Sequence, residues 1–355
     1  MASISTSKAE ISYIQTGLLS TPPLRADGRG LHDFRTISLE TGVAPLANGS
    51  AHLNIGKNPH DGGGGTEVLA AAKLEVETID GQSDGVNGGR IVCTVSCSPS
   101  AYPHLSAPAL DDLQHDMSTL LHQTLAHPSL HPPNLGILAG KKSWLLNLDC
   151  VVLADAGNTH DALFMAARAA LWDCKVPRTR AVEYKAPGAK AQREGESGEM
   201  DVDVDAGAQQ SGFDTRSIAA RAVDFELPDY WDEGEVLGGR DKWPVCVTLN
   251  VATSPSGVQH YLDAIPQEEA ATPLRLLLVF SFPPASSPNL HAMRILGSGE
   301  LESGQIREFV ASGEKYAQKM WDNALNGKLK EEDLRRGQKA RDRVYEAVIL
   351  LYLLG

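Results

Sequence analysis

Arg25, Arg29 and Arg35 crowd one short stretch, Arg25-Ala26-Asp27-Gly28-Arg29 followed by Phe34-Arg35. Asp27-Gly28 is a turn signal, because Gly accepts positive φ and Asp can bond back to its own backbone. A solvated turn with surface arginines has the same appearance. Other residues invite chemical readings too. Gly62 to Gly65 could cradle a phosphate, but only where such a tract leads from a strand into a helix. Here it leads into a β-like run, so a hairpin tip is the better reading. His115 and His122 stand two helical turns apart, beyond the i,i+4 spacing that shares a metal, and read as solvated or capping residues. Cys93 and Cys97 share one face of a strand and read as buried thiols. Acidic residues from Glu194 to Asp205 lack the turn-fixed spacing of a metal site. No metal and no cofactor is expected.

The elements that must position these residues follow from periodicity. Apolar side chains alternate in Ala51 to Ile55, Thr66 to Thr78 and Arg90 to Cys97, as strands require. Leu110, Leu113, Met117, Leu120, Leu121 and Leu125 form the stripe of a helix over Ala109 to Ala126. Ser143 to Ala154 reads as a strand. A turn, Asp155-Ala156-Gly157-Asn158-Thr159, leads into a second helix reaching Cys174, whose alanines suit close packing. Val245 to Val251, Leu274 to Phe282 and His291 to Leu296 read as strands, and Ser303 to Leu325 as a helix. Ser7 and Glu10 have the spacing of a capping box, opening a short amphipathic helix.

Composition bounds the class. The chain has 355 residues, 42% of them hydrophobic, with 33 glycines and 20 prolines. That favours an α+β protein over a helical bundle. A net charge of −13 argues against gripping nucleic acid through bulk charge. The five cysteines form no paired framework. The apolar run Val344 to Leu353 is too short to span a bilayer, so a soluble intracellular protein with no membrane partner is expected. The boundaries read as 1–24 for an N-terminal extension, 25–184 for a first domain, 185–216 for an acidic insert expected to be disordered, 217–325 for a second domain and 326–355 for a helical tail. Both domains run strands first and a helix after, as a duplication would. The basic residues of the tail, Arg335, Arg336, Lys339, Arg341 and Arg343, read as a solvated helical face diluted by Glu331, Glu332, Asp333 and Asp342.

The Arg25-x-Asp27-Gly28-Arg29 turn, then Gly49-Ser50-Ala51, then Thr66-Glu67-Val68-Leu69-Ala70-Ala71, resembles in order the opening of the RNase PH family. Trp144 to Asp149, Gly157-Asn158 with Asp161-Ala162, Pro244 to Thr248, and Asp263-Ala264 with Glu268-Glu269 continue the resemblance to about Trp321. The later motifs look most like the branch found in the eukaryotic RNA exosome ring. The resemblance implies an RNase PH fold with duplicated βαβ-containing halves and mixed sheets packed on helices. It gives Arg25, Asp27, Gly28, Arg29 and Arg35 a structural role. It also implies other RNase PH-like ring subunits, exosome cap subunits, associated nucleases and RNA as partners, and a place in the nucleus, the nucleolus and the cytoplasm.

Active members of this family cleave RNA by phosphorolysis, which needs fixed donors for phosphate and carboxylates that hold a metal or move a proton. Three departures are visible. The turn that binds phosphate in active relatives is Gly157-Asn158-Thr159-His160 here, without arginine, and Asn158 and Thr159 read as a helix N-cap. Asp111-Asp112 stand where active relatives carry paired arginines. The essential aspartates have only Asp224 and Asp241 as nearest candidates, neither in the expected context. No catalytic residue is assigned, and the implied role is RNA processing and degradation without catalysis. An active phosphorolytic site shared with a neighbour is the alternative. Lys141, Lys142, Arg178 and Arg180, near strand ends, are the residues that would face RNA if any do.

Overall fold

The computed structural model describes residues 6–57, 64–79, 88–182, 224–227, 234–254, 257–283 and 287–338. The expected acidic insert, the Gly62 end of the glycine tract and the tail beyond 338 lie outside these residues.

Two sheets sandwich one helix. The first sheet has the order β1-β2-β3-β6-β4, formed by Ile37–Thr41, Gly49–Ile55, Thr66–Thr78, Lys142–Ala154 and Arg90–Cys97, with the short β5 (Gly136–Leu138) on β6. All pairs are antiparallel except β4 with β6, which are parallel and joined through α2 (Ala107–Leu125). Three two- or three-residue strands, β7 (Lys175–Val176), β8 (Arg180–Val182) and β9 (Asp224–Glu226), follow, then β10 (Glu235–Val236). The second sheet has the order β12-β11-β13-β14, from Gly257–Tyr261, Val245–Ser254, Arg275–Ser281 and Asn289–Leu296. Its described strands pair only antiparallel, so among the described residues the parallel crossover belongs to the first half.

α3 (Thr159–Asp173) packs against β2 and β3 of the first sheet and β11 of the second. All its residues are buried, as a helix covered all round must be. Its alanines and Gly49 permit that approach: a Cβ on Gly49 would stand 2.5 Å from the Ala170 carbonyl oxygen. β11 differs from its alternating pattern for the same reason. With α3 and α5 (Ser303–Lys319) both packed against it, its polar positions are buried as well. Thr248 is satisfied by Asp161, and the Asn250 amide nitrogen donates to the Tyr261 carbonyl while its Oδ1 is buried without a partner.

α2 does two jobs. Leu110, Met117, Leu120, Leu121 and Leu125 bury its apolar stripe. Its next face covers the open edge of β4: the Cys97, Val95 and Cys93 N–H groups donate to Gln114 Oε1 (2.9 Å), Ser118 Oγ (2.9 Å) and His122 Nδ1 (3.4 Å). Residues spaced four apart on the helix meet residues spaced two apart on the strand. His122 is therefore an acceptor for an edge strand, not the solvated residue its spacing suggests, because the edge N–H groups need partners.

The capping box closes α1 (Lys8–Leu18): Ser7 Oγ accepts the Glu10 N–H and the Ser7 N–H donates to Glu10 Oε2 (2.7 Å). At the other end, α5 passes into a π-helical turn, Met320–Asn326, and helix continues to 338. Of the expected solvated tail face, Arg335 is exposed and Arg336 is not, while Lys339, Arg341 and Arg343 lie outside the described residues. Lys328 donates to the Ile37 carbonyl on β1, Arg336 binds Asp173, and Trp172 Nε1 donates to Asp333 at 2.9 Å. These bonds dock the tail on the first sheet and α3.

Candidate functional site

The start of α3 is the centre of the site. Gly157 (φ 85°) and Asn158 (φ 60°) adopt left-handed backbone in succession. Gly157 is required there, since a Cβ would collide with the Ala264 carbonyl oxygen. Thr66 holds the turn from the first sheet, donating to the Gly157 carbonyl (2.5 Å) and accepting the Ala156 N–H (3.0 Å). In a phosphate site, the N–H groups opening such a helix would point at the anion. Here the chain's own carboxylates take the two N–H groups that lead into the helix. Asp155 accepts from the Gly157 N–H (2.8 Å) and Thr159 Oγ1 (2.7 Å), and Glu269 accepts from the Asn158 N–H (2.9 Å). Asn158 holds the N-cap position, but its side chain makes no cap bond and turns to Asp263 Oδ1 (3.1 Å).

The three motif arginines converge on the same place from the other side. Arg25 forms a fully buried ion pair with Glu268 (2.7 Å) and donates to the Leu262 and Asp263 carbonyls. Arg29 reaches Asp27 (2.6 Å) and Asp263 (2.8 Å). Arg35 reaches Asp263 (2.7 Å) and the carbonyls of Ala156 and Gly157. Gly28 takes the positive φ of 76° that the turn needs. Asp263, itself at φ 48°, thus accepts from two guanidiniums, the Asn158 side-chain amide and the Arg35 backbone N–H. Burial pushes its carboxyl up, but Arg35 and Arg29 more than offset that and hold it below its usual value. A carboxylate so saturated has no lone pair spare for a metal or a proton.

Beside this network lies a cleft of about 380 Å³. Leu105, Leu113 and Met117 wall one part, and Tyr102, Asp155, His160, Glu269 and Arg275 bring polar groups to it. Arg275 stands 3.2 Å from Glu269. Burial, with Arg275 nearby, drives the His160 imidazole down to about 4, so it is neutral near pH 7. Asp111 and Asp112 are exposed on the first turns of α2, next to the cleft-lining Ala109 and Leu113.

Asp224 and Asp241 do not border the cleft. Asp224 lies on β9, bound to Lys142 at 2.9 Å, and Asp241 is exposed in a short 3-10 turn before β11. Of the later acidic motif, Asp263 and Glu269 meet the α3 turn and Glu268 holds Arg25. Their matching motif was visible in the sequence; their position was not, because more than two hundred residues separate them from Arg25, Arg29 and Arg35. Among the described residues, no group of three or more His, Cys, Asp or Glu side chains is placed to hold a metal. The five cysteines are free and buried, and burial raises the Cys93 thiol to about 12.

Lys142, Arg178 and Arg180 come to one neighbourhood. Lys142 lies over the Phe225 ring and pairs with Asp224; Arg178 pairs with Glu235 (3.3 Å); Arg180 opens β8, which pairs with β9. Lys141 immediately precedes β6 and accepts the Ile79 N–H through its carbonyl. Acidic side chains are interleaved with these cations. Among the described residues, no helix is long and apolar enough to cross a membrane.

Residues 33–177 match the 3' exoribonuclease family, domain 1, known as RNase PH. A Dictyostelium discoideum protein provisionally named exosome complex exonuclease RRP42 is 26% identical over 373 aligned residues, covering 92% of this chain and 98% of that protein. The exosome complex component Rrp42 of Thermoplasma volcanium is 33% identical over 157 residues, 44% of this chain and 56% of its own length. Among solved structures, the Archaeoglobus fulgidus exosome with RNA bound to the active site superposes with a TM-score of 0.59 at 20% identity, covering 88% of this chain and 96% of that one. An archaeal exosome core gives 0.56 at 19% identity, covering 91% and 96%. At these identities the two structures carry the fold, which is the RNase PH fold.

Proposed function

We propose, for a chain whose residues 33–177 match the RNase PH family, a role as a catalytically silent ring subunit of an RNA exosome, of the Rrp42 kind. It would pair with other RNase PH-like subunits, meet cap subunits and associated nucleases, and support 3'-to-5' RNA processing, including ribosomal RNA maturation and mRNA turnover. Nucleus, nucleolus and cytoplasm are the compartments such a role implies. The relatives' names support the assembly; the site supports the silence. One observation carries it: Asp155 and Glu269 take the Gly157 and Asn158 N–H groups of the turn that corresponds to the phosphate turn of active relatives. Losing one preorganised donor to a developing anion costs on the order of 10²–10³ in rate.

The cationic stretch of Lys141, Lys142, Arg178 and Arg180 is the proposed contact with RNA at the end of the first sheet. Reconstitution with RNase PH-like partners tests the whole reading. The chain should enter a ring, and the chain alone should release no nucleoside diphosphates from RNA with phosphate and magnesium. A second reading is an active phosphorolytic site completed by a neighbour, favoured by the open cleft with Arg275 on its wall. Phosphorolysis by the ring that falls when Arg275 is changed to Ala, with the ring intact, would establish it.

A further inference from the structure

A second concavity lies outside this site, between the C-terminal half of α2 and the start of β4. It is a groove of about 500 Å³. His115 and His122, two turns apart on α2, line it together with His131, Arg90, Thr119 and Ser118. No carboxylate lines it among the described residues. The chain as a whole has a net charge of −13.

The donors are oriented. His122 Nδ1 accepts the Cys93 N–H, so the neutral ring carries its proton on Nε2. His131 Nε2 donates to the Gly89 carbonyl at 2.7 Å, which fixes that ring against the strand. Arg90 is bound by Glu77 through Nε (2.8 Å) and Nη2 (2.6 Å), which leaves its Nη1 hydrogens outside the pair. The nearest acids on α2 are Asp116, engaged by Arg294 at 2.7 Å, and the exposed Asp111 and Asp112. Ala126 and Pro128 give the groove an apolar end.

We propose that this groove holds a nucleotide of single-stranded RNA, its base against the imidazoles and its phosphate on the donors of Arg90, His122 and Thr119. Flat rings that accept any base, beside donors that accept phosphate, are the means by which single strands are bound without sequence reading. The α3 cleft, filled with the chain's own carboxylates, lacks that character. The inference rests on the RNA-handling role proposed above, and it places an RNA contact away from the family's catalytic cleft.

The test uses the reconstituted ring and a 4-thiouridine-labelled oligouridylate. Irradiation should crosslink RNA to the segment from His115 to His131. His115→Glu with Thr119→Glu, two changes on the rim that leave the strand caps intact, should weaken RNA binding by about tenfold or more. Thr119→Gln should not. Ring formation, followed by size-exclusion chromatography, confirms that the variants assemble. Crosslinks confined to other segments, or unchanged affinity in the doubly charged variant, overturn the proposal while leaving the ring assignment standing. Polyglutamate binding that the double variant abolishes, with RNA binding unchanged, would make the groove an acidic-peptide site and also overturn it. If no ring forms, the functional reading fails by itself, and crosslinking of the isolated chain still decides the groove.

Discussion

The Asn158 N–H donates to Glu269 Oε1 at 2.9 Å, joining the first turn of α3 to the short helix α4 (Pro266–Ala271) of the second half. The bond links the two halves through a donor in the turn that leads into α3. Asp155 does the same locally at Gly157 and Thr159. The helix N-terminus keeps its positive end, and the counter-charge is covalently part of the chain.

Removing that counter-charge should expose the latent anion site. Glu269→Ala frees the Asn158 N–H and separates Arg275 from its acid. A charge-assisted hydrogen bond is worth about 1.5–3 kcal/mol. The variant should therefore bind inorganic phosphate about tenfold or more tightly than the parent, read by amide shifts of Gly157 to His160. It should still release no nucleoside diphosphates, because Asp263 remains saturated by Arg29 and Arg35. Phosphate shifts of equal size in parent and variant would show that Glu269 blocks nothing.

Arg25 and Glu268 are both buried, with side chains 0% and 2% exposed. Removing one partner strands the other charge, which costs about 3–5 kcal/mol. Arg25→Ala should show that loss in urea denaturation, and Arg25→Lys should recover little, since one ammonium cannot reproduce two contacts to the carboxylate and two to carbonyls. Arg25→Met with Glu268→Leu should recover most of the stability. An Arg25→Ala chain as stable as the parent would remove the structural role of the motif.

The elements that depend on local pattern were legible. The Ser7–Glu10 box, the stripe from Leu110 to Leu125 and the long strand from Ser143 to Ala154 each stand within a residue or two of where periodicity places them. The two-sided burial of β11 was not, because alternation cannot reveal that α3 and α5 both cover the strand. Nor was the fate of the arginines. Asp263 meets Arg35 at a sequence separation of 228, and nothing in the spacing of either motif encodes that meeting. The resemblance named both motifs and left their pairing unread.

Asp161 should make stability depend on pH in a direction opposite to most carboxylates. Burial raises its carboxyl from 3.8 to about 7, against hydrogen bonds from Thr248. The folded chain then holds a proton between those values that the unfolded chain has lost. Its contribution to stability is present in full below about pH 4 and is lost as pH rises through about 7, at up to about 1.4 kcal/mol per pH unit. Asn at this position can accept the Thr248 N–H and donate to Thr248 Oγ1. Denaturation of Asp161→Asn and the parent from pH 4 to 8 should give a difference that shifts steadily in favour of the variant as pH rises. A flat difference, or one of the opposite sign, would mean that Asp161 stays ionised in the folded chain.

Ser118 should protect the edge of the first sheet at one identifiable amide. Its hydroxyl accepts the Val95 N–H at 2.9 Å and lies 3.3 Å from the Val95 carbonyl. Gln114 and His122 serve the neighbouring donors at Cys97 and Cys93 independently. Ser118→Ala leaves a partly buried N–H without a partner, at a cost of about 1–3 kcal/mol. Hydrogen exchange should accelerate at Val95 well beyond any change at Cys93 or Cys97, because the strand remains paired to β6 along its other side. Gln114→Ala should move the effect two residues along, to Cys97. Uniform acceleration at all three amides would instead mean that α2 covers β4 only through its apolar stripe, with the polar face contributing nothing residue by residue.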